Sequence, residues 1–181
     1  GGNSSGELGL GTLDSNAHPT ATAVPGVKGA VSISAGLFNT CAILADSTVT
    51  CWGRGLGDRS SGVAKAIPVL AGTREVVMGN GWGCALTSSG LKCWGQNSGM
   101  LGLGPSVPNG YYSTPQDVVG LPTAVSNISG SWGVICASNP DGDAWCWGGT
   151  TSYPAIGNGT AYSYTPAKVT PNNGFQPEQQ E

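Results

Sequence analysis

The chain has 181 residues, enough for one ordinary domain, and only 9% of them are charged, against about a quarter in a typical soluble domain. Its net charge of −3, with seven Lys and Arg scattered singly, excludes the basic patch that a nucleic-acid-binding protein needs. The 31 Gly could suggest disorder, but six Trp and an apolar content of 39% exclude it, because a chain with this apolar content buries enough surface to offset the entropy lost on folding. Many Gly-containing turns between short apolar runs indicate an all-β fold.

The sequence predicts no membrane-spanning helix, because it contains no run of about 18 apolar residues. The polar, glycine-rich start at Gly1 does not match a signal peptide. If the protein is secreted, we therefore expect this chain to be a processed product or an internal segment.

An internal repeat organises the chain. Three stretches, 41–53, 84–95 and 136–148, each hold two Cys and end in Cys-Trp-Gly. A β-branched run that ends in Gly precedes each first Cys, at 30–36, 75–79 and 124–130. Gly-rich loops with Leu-Gly or Ile-Gly lie at 2–11, 53–57, 95–104 and 155–159, and short apolar strands that begin around a Pro follow at 66–69, 114–119 and 165–169. Each unit therefore predicts a series of short, turn-bounded strands, as a propeller blade requires.

The paired Cys lie at the two ends of a predicted hairpin in each unit, and turn residues occupy its tip. Counting inward places the two Cys opposite each other, at ~4.5–5.5 Å between Cα atoms, which suits a disulfide. The even count and the repeat in phase favour disulfides over zinc ligands, which usually follow a Cys-x2-4-Cys spacing, or buried free thiols. The predicted disulfide residues are Cys41 with Cys51, Cys84 with Cys93, and Cys136 with Cys146.

The Leu-Gly-x-Gly loop, the Thr-Pro strand and the Ser-x-Gly…Cys-Ala-[Ile/Leu]…Cys-Trp-Gly frame resemble the regulator-of-chromosome-condensation repeat, in the cysteine-containing variant of secreted bacterial and algal proteins. The resemblance covers residues 1 to about 170 and implies a β-propeller of about seven blades with roughly 50 residues each. The chain divides into periods 1–52, 53–94 and 95–147, a partial one at 148–171, and a polar linker or tail at 172–181. About three and a half disulfide-stapled blades cannot close such a ring. We therefore expect an incomplete propeller, or one completed by further sequence or by another chain.

Aromatic residues are the candidate binding groups. The Trp after each second Cys, at 52, 94 and 147, is predicted to pack between blades, with a sugar-stacking platform as the alternative. Trp82 and Trp132 stand shortly before a first Cys, where Phe38 stands in the first unit. An exposed binding role toward the axial opening is one alternative for this position, and a position without a binding role is the other. Tyr111 and Tyr112 are further candidate stacking surfaces.

Glycosylation sequons begin at Asn3, Asn127 and Asn158, and Asn39 begins one in the rare Cys form. Asn127 falls in a predicted strand and is the poorer acceptor. The stretch from Asp141 to Asp143 predicts a hairpin turn, because it lacks the further acidic ligands of a calcium loop. We expect no metal and no cofactor.

Catalysis finds no support in the sequence: His18 is the single His, and the carboxylates are dispersed over different blades. We expect a non-enzymatic, extracellular or cell-surface module that contacts other proteins, copies of itself or a larger surface or filament assembly. Alternatives are a carbohydrate-binding module and a propeller-type inhibitor of a secreted enzyme. The resemblance implies nuclear nucleotide exchange and chromatin binding, but the acidic net charge and the paired Cys argue against both. The same charge argues against any nucleic-acid partner. Nothing in the sequence predicts membrane insertion.

Overall fold

The computed structural model describes residues 1–54, 61–67, 70–122, 124–149, 156–157 and 159–170. Within these ranges, twelve strands form three four-stranded antiparallel sheets, here called blades 1 to 3. Blade 1 contains β1 (Ala30–Ala35), β2 (Asn39–Leu44), β3 (Val49–Gly53) and β4 (Ser61–Ala66); blade 2 contains β5 (Glu75–Met78), β6 (Trp82–Thr87), β7 (Gly90–Asn97) and β8 (Gly110–Asp117); blade 3 contains β9 (Asn127–Ser131), β10 (Val134–Ser138), β11 (Ala144–Gly149) and β12 (Tyr162–Lys168). The prediction of an all-β chain built from propeller blades is confirmed.

Each blade is a meander in which neighbouring strands pair in chain order. The β-branched run forms the first strand, the two Cys strands lie in the middle, and the strand after the Gly-rich loop is the fourth. Because this fourth strand pairs with the preceding Cys-Trp-Gly strand, the sheets share the period of the sequence repeat but differ from it in phase. Residues 1–29 lie outside the three sheets and contain one isolated bridge, between Asn3 and Asp14. The tail at 172–181 lies outside the described residues.

The Cys pairs face each other across the central hairpins. In blade 1, the hydrogen bond from Leu44 N to Thr48 O marks a hydrogen-bonded pair. Alternation along the ladder then places Cys41 and Cys51 at a non-hydrogen-bonded site, where side chains approach most closely. Three disulfides, with Cα atoms 4.0 or 4.1 Å apart, join the pairs that the sequence predicts: Cys41–Cys51, Cys84–Cys93 and Cys136–Cys146.

The Gly of each Cys-Trp-Gly motif has a structural reason. Gly53, Gly95 and Gly148 have φ of 94°, 101° and 83°, in the left-handed region that L side chains rarely adopt. A Cβ at any of them would lie 2.2 or 2.3 Å from a backbone carbonyl oxygen of the turn across the hairpin. The register of the sheet shifts at the same place, so Gly permits a bulge between the third and fourth strands.

The core lies between the blades. Each of its two clusters combines a disulfide hairpin of the earlier blade with a Trp of the later one. The members between blades 1 and 2 include Cys41, Ile43, Val49, Cys51, Met78, Ala85 and Trp94, and those between blades 2 and 3 include Trp82, Cys84, Leu86, Leu91, Cys93, Ile135, Ala137 and Trp147. A disulfide therefore restrains the hairpin that each following blade packs against. No helix in the described ranges is long and apolar enough to cross a membrane.

Candidate functional site

The Trp of each Cys-Trp-Gly motif is buried. Trp94 and Trp147 are 0% exposed and Trp52 is 2% exposed. The Nε1 of Trp52 donates a hydrogen bond to the carbonyl oxygen of Glu7 at 2.9 Å, so residues of the N-terminal segment lie over this ring. These three rings pack between structural layers, as the sequence predicts, and none is available to stack on a sugar.

Trp82 is 0% exposed, so it is not an exposed binding aromatic. It pairs with Gly95 and therefore does not share one position with Phe38 and Trp132, which lie in turns. It begins β6, and its ring packs against Gly130 of blade 3, where a Cβ would lie 2.8 Å from the ring. Its Nε1 donates a hydrogen bond to the carbonyl oxygen of Trp132 at 2.8 Å. Trp82 is therefore a support for the turn that carries Trp132.

Trp132 is the most exposed large apolar residue among those described, at 72%. It lies in the turn between β9 and β10 with a φ of 45°, a backbone conformation that bulky residues seldom adopt. Because Trp82 holds its carbonyl from below, the turn presents the indole to solvent in a defined position.

The turn between β1 and β2 presents further apolar surface. Leu37 is 49% exposed, and Phe38 is half-buried with the Arg54 guanidinium 5.8 Å from its ring centroid. The buried Asn39 donates from Nδ2 to the carbonyl oxygen of Trp82 at 3.4 Å, so this turn is tied to the same Trp82 that holds the β9–β10 turn. We call Leu37, Phe38 and Trp132 together the turn surface.

The two adjacent Tyr of β8 differ in environment. Tyr111 is 48% exposed, whereas Tyr112 is half-buried and donates from its hydroxyl to the carbonyl oxygen of Pro108 at 3.0 Å. Tyr162 of blade 3 holds the same loop by donating to the carbonyl oxygen of Ser98 at 2.5 Å, and burial raises the pKa of Tyr162 to about 12. Tyr112 and Tyr162 therefore fix the loop after β7, and Tyr111 remains an exposed candidate.

Asn3 is 0% exposed, which corrects its assignment as a glycosylation site. Its Oδ1 accepts from the N–H of Leu8 at 3.3 Å, and its Nδ2 donates to the carbonyl oxygen of Thr12 at 3.0 Å. Asn97, 2% exposed, bonds across its own Gly-rich loop in the same way. Asn3 therefore organises a loop, and a glycan on Nδ2 would remove the donor and require the buried amide to reach solvent.

The remaining sequons have separate outcomes. Asn39 is 0% exposed and hydrogen-bonded through Nδ2, so it is not accessible to a glycan. Asn127 is exposed at the start of β9, with its Nδ2 3.1 Å from Ser126 Oγ, and stays a predicted acceptor. Asn158 lies outside the described residues.

The carboxylate of Asp14 is the electrostatic centre of the N-terminal segment. Hydrogen bonds from the imidazole of His18 at 2.9 Å and from Nδ2 of Asn3 at 3.1 Å lower the pKa of Asp14 to about 2. In blade 1, hydrogen bonds from Thr48 lower the pKa of Asp46 at the hairpin tip. Both carboxylates order their own loops. In the part of the chain that the structure describes, no group of three or more His, Cys, Asp or Glu is placed to hold a metal ion.

Two exposed aliphatic residues were not singled out by the sequence analysis. Val31 and Ile33 on β1 are 67% and 65% exposed. The β-branched run that contains them predicts a strand packed against a neighbour, as β5 is, where Met78 is 4% exposed. Only the tertiary structure shows that Val31 and Ile33 are exposed. We call the side of blade 1 that carries Val31 and Ile33 the open face.

Comparisons with known proteins agree with this architecture. Residues 30–56 match the family described as Regulator of chromosome condensation (RCC1) repeat. The human protein WBSCR16 superposes with a TM-score of 0.78 at 22% identity, over 94% of this chain and 47% of that chain. The crystal structure of Kap60 bound to yeast RCC1 (Prp20) gives a TM-score of 0.75 at 16% identity, over 95% of this chain and 44% of that chain. The structure of Prp20p from Saccharomyces cerevisiae, described together with its binding properties to Gsp1p and histones, gives a TM-score of 0.70 at 20% identity, over 93% of this chain and 45% of that chain.

This chain thus spans a little less than half the length of the solved chains that it resembles. No curated protein matches its sequence. At these identities the likeness establishes the fold, which is a series of propeller blades of the RCC1 type.

Proposed function

We propose that the chain is a non-enzymatic protein-interaction module that works in an extracellular or cell-surface compartment as part of a larger assembly. The observation that carries this proposal is the exposed Trp132, which stands 72% exposed on a turn held from beneath by the indole of Trp82. Trp, Tyr and Arg dominate the residues that carry binding energy at protein interfaces.

The preorganisation of the turn surface supports a protein partner. A side chain that is already held in place loses little conformational entropy when it binds. Asn39 and Trp82 connect the two turns through hydrogen bonds of 3.4 and 2.8 Å, and so hold Leu37 and Trp132 on one framework. Arg54 beside Phe38 adds a cation at the same surface. The protein partners named with the yeast neighbours, Kap60, Gsp1p and histones, belong to those proteins and support docking as a use of this fold.

The extracellular compartment is proposed from the disulfides. Three cross-strand disulfides at equivalent positions of three blades form and persist in oxidising compartments. A net charge of −3 does not favour a nucleic-acid partner. Hydrogen bonds and ion pairs of the carboxylates of Asp14, Asp117 and Asp143 lie in different parts of the chain, which supports a module without catalysis.

The carbohydrate-binding alternative uses Trp82, Trp132, Tyr111 and Tyr112 as stacking surfaces. Trp82 is buried and Tyr112 is engaged with its own loop, so only Trp132 and Tyr111 stay exposed for this use. An inhibitor of a secreted enzyme would be one form of the proposed protein interaction.

The interaction is tested with the immobilised full chain and extracellular extract from its native source. We expect a protein to be retained at a defined stoichiometry and its affinity to fall about 10–30-fold for Trp132→Ala, as for a buried hot-spot Trp. Leu13→Ala is the matched control, because Leu13 is a 52% exposed apolar residue of the N-terminal segment. An affinity that is the same for Trp132→Ala and wild type would refute the role of the turn surface. Retention of a defined oligosaccharide on a glycan array, lost in Trp132→Ala, would replace the proposal by the carbohydrate alternative.

The compartment is tested by intact mass after alkylation without reduction, on protein from the native source. We expect all six Cys to be unmodified because they are oxidised. Six alkylated Cys would contradict the extracellular assignment and leave the interaction experiment unaffected.

A further inference from the structure

A groove of about 330 Å³ lies beside the tip of the central hairpin of blade 2. The linker between blades 2 and 3 contributes Val118, Leu121 and Val125 to its lining, and the hairpin contributes Leu91. Arg74, directly before β5, is the charged residue of this lining. We call this cavity the linker groove.

The linker between blades 2 and 3 is one residue longer than the linker between blades 1 and 2. Backbone hydrogen bonds mark the equivalent ends. Ile67 N and Val118 N donate to the third strand of their own blade, and Arg74 N and Ser126 N donate to the second strand of the next blade. Six residues lie between the two marks in the first linker and seven in the second.

The place of the linker groove is filled between blades 1 and 2. Leu70 of that linker is 0% exposed and belongs to the core cluster between these blades. Thr73 N donates to Ser47 O at 3.3 Å, so the shorter linker lies against the hairpin tip of blade 1. Leu121 stands as far along the longer linker as Leu70 does along the shorter one, but it is only half-buried. The longer linker therefore leaves apolar surface uncovered beside blade 2.

The guanidinium of Arg74 adds a positive charge to this apolar surface. Its Nη2 donates to Val125 O in a long hydrogen bond of 3.4 Å, and the side chain is exposed. Within the part of the chain that the structure describes, Arg74 forms no ion pair. The neighbouring carboxylate of Glu75 accepts instead from Ile128 N at 2.8 Å. The linker groove therefore suits a segment that carries an apolar side chain and a carboxylate.

Residues 171–181 supply both features. Phe175 is the one aromatic residue among them, and Glu178 follows it by three positions. Three extended residues span up to ~10 Å, so both side chains can reach one groove. The segment contains two Glu and no Lys or Arg, which complements the charge of Arg74.

The same segment does not continue the repeat. Val76 and Ile128 follow the ends of β4 and β8 by 10 and 11 positions, and both pack against the core between blades. At these distances from the end of β12 stand Glu178 and Gln179. A charged and a polar residue do not suit the packed first strand of a further blade, so the segment suits another contact.

The distance from blade 3 to the linker groove is short enough for Phe175. Val169 N donates to Ala144 O, and Ala144 pairs with Ser138. Ser138 O in turn accepts from Ser126 N, at the end of the linker. Three strand spacings of ~4.8 Å therefore separate Val169 from Ser126, about 14 Å in all. The six residue steps from Val169 to Phe175 span up to about 20 Å.

We propose that residues 171–181 of this chain bind in the linker groove. The ring of Phe175 packs on its apolar lining, and the carboxylate of Glu178 pairs with the guanidinium of Arg74. The ring thus fills the place that a linker side chain fills between blades 1 and 2. This contact is made within one chain and on a surface separate from the turn surface, so it stands independently of the proposed interaction role.

Nuclear magnetic resonance on the full chain tests the contact directly. We expect nuclear Overhauser effects between the ring protons of Phe175 and the methyl groups of Leu121 and Val125. Absence of these effects would overturn the proposal. Effects to the methyl groups of Val31 and Ile33 instead would place the ring on the open face and overturn it as well.

Amide exchange measures how firmly the segment is held. The amides of Gln176 and Glu178 should exchange about tenfold more slowly in the full chain than in Phe175→Ala, because burial of the ring holds the segment. Phe38→Ala is the matched control, since Phe38 is the other Phe of the chain and belongs to the turn surface. It should leave these amides unchanged. Equal exchange with and without the ring of Phe175 would contradict the proposed contact.

Exchanging the two charges tests the ion pair. Arg74→Glu and Glu178→Arg should each accelerate the same amides about two- to fivefold, as for an exposed ion pair, and the double variant should restore slow exchange. Because the Arg74 side chain is exposed, its substitution should leave the thermal midpoint nearly unchanged. Glu181→Arg is the charge-matched control and should have a smaller effect. A double variant that stays as fast as the single ones would refute the pairing.

A mixture of isotope-labelled and unlabelled chains separates a contact within one chain from a contact between copies. We expect Overhauser effects only within chains. Effects between labelled and unlabelled chains would assign the linker groove to the segment of a second copy and overturn the proposal. Trp132→Ala should leave the effects of Phe175 unchanged, so failure at the turn surface and failure at the linker groove are read separately.

Discussion

Removing disulfides one pair at a time measures how much each blade contributes to the packing of the next. The perturbation is a double substitution of Cys by Ala, at 84 and 93 in blade 2 or at 136 and 146 in blade 3. Cys84 and Cys93 are 0% exposed between blades 2 and 3, whereas Cys146 is 7% exposed and Cys136 is half-buried on the far side of blade 3. The two pairs thus have the same covalent geometry in different surroundings.

The expected magnitudes follow from the loop lengths and the burial. Sequence separations of 9 and 10 residues correspond to about 2.6 kcal/mol each in the chain-entropy description of a disulfide. Truncation of a sulfur in a packed core adds about 1 kcal/mol for each Cys, from lost burial and the cavity that remains. We therefore expect a loss of about 4–5 kcal/mol for the blade 2 pair and about 3 kcal/mol for the blade 3 pair.

Urea unfolding, followed by circular dichroism and by Trp fluorescence, gives the free energies, and coincident transitions justify a two-state fit. The double substitution of Cys41 and Cys51 is the matched control, because both residues are 0% exposed and their separation is 10. It should resemble the blade 2 pair. Equal losses for all three pairs, or a larger loss for the blade 3 pair, would refute the packing of disulfide hairpins against following blades.

Further predictions concern the order in which the disulfides are reduced, the glycosylation of Asn3 and the dependence of stability on pH. Under mild reduction of the folded chain, the Cys136–Cys146 disulfide should be reduced first, because its residues are more exposed than those of the other two. Mass spectrometry after alkylation gives the order of reduction, and earlier reduction of either other disulfide would contradict this expectation. Produced in a eukaryotic secretory host, folded protein should carry no glycan on Asn3, and Asn3→Gln should cost about 1–3 kcal/mol through unmet buried hydrogen bonds, whereas Asn127→Gln should leave stability unchanged. The folded pKa of Asp14, about 2, lies below its unfolded value, so its contribution is present above pH 4 and is lost as the pH falls toward 2; Asp14→Asn should flatten the stability profile only in that window, and an unchanged slope there would refute the role of the imidazole hydrogen bond.

The turn surface and the open face contrast in how they are held. Trp132 stands on a completed framework, because Trp82 and the strands on either side fix its turn. Ile33 stands on the first strand of a four-stranded sheet and is 65% exposed.

Local features of the sequence were sufficient for the blade architecture. The Cys spacing around a turn predicts the pairs, because two residues equidistant from a hairpin tip must oppose each other. The Gly after each Cys-Trp marks a left-handed backbone position, and the repeat period predicts strands of similar length in each unit. The Cys pairing and the Gly position each depend on nearby residues of one hairpin, and the repeat period is read from the comparison of one unit with the next.

Exposure was decided by the tertiary structure. Trp82 and Trp132 both precede a first Cys by a few residues, yet one is 0% and the other 72% exposed. Trp82 lies in β6 opposite Gly95 and packs against Gly130 of another blade, whereas Trp132 lies in the turn between β9 and β10. Asn3 begins a sequon and is buried, since its loop folds back on the amide. The sequence by itself determined which strands and which disulfides form. Which surfaces remain open depends on contacts between residues tens of positions apart, and only the assembled blades reveal those contacts.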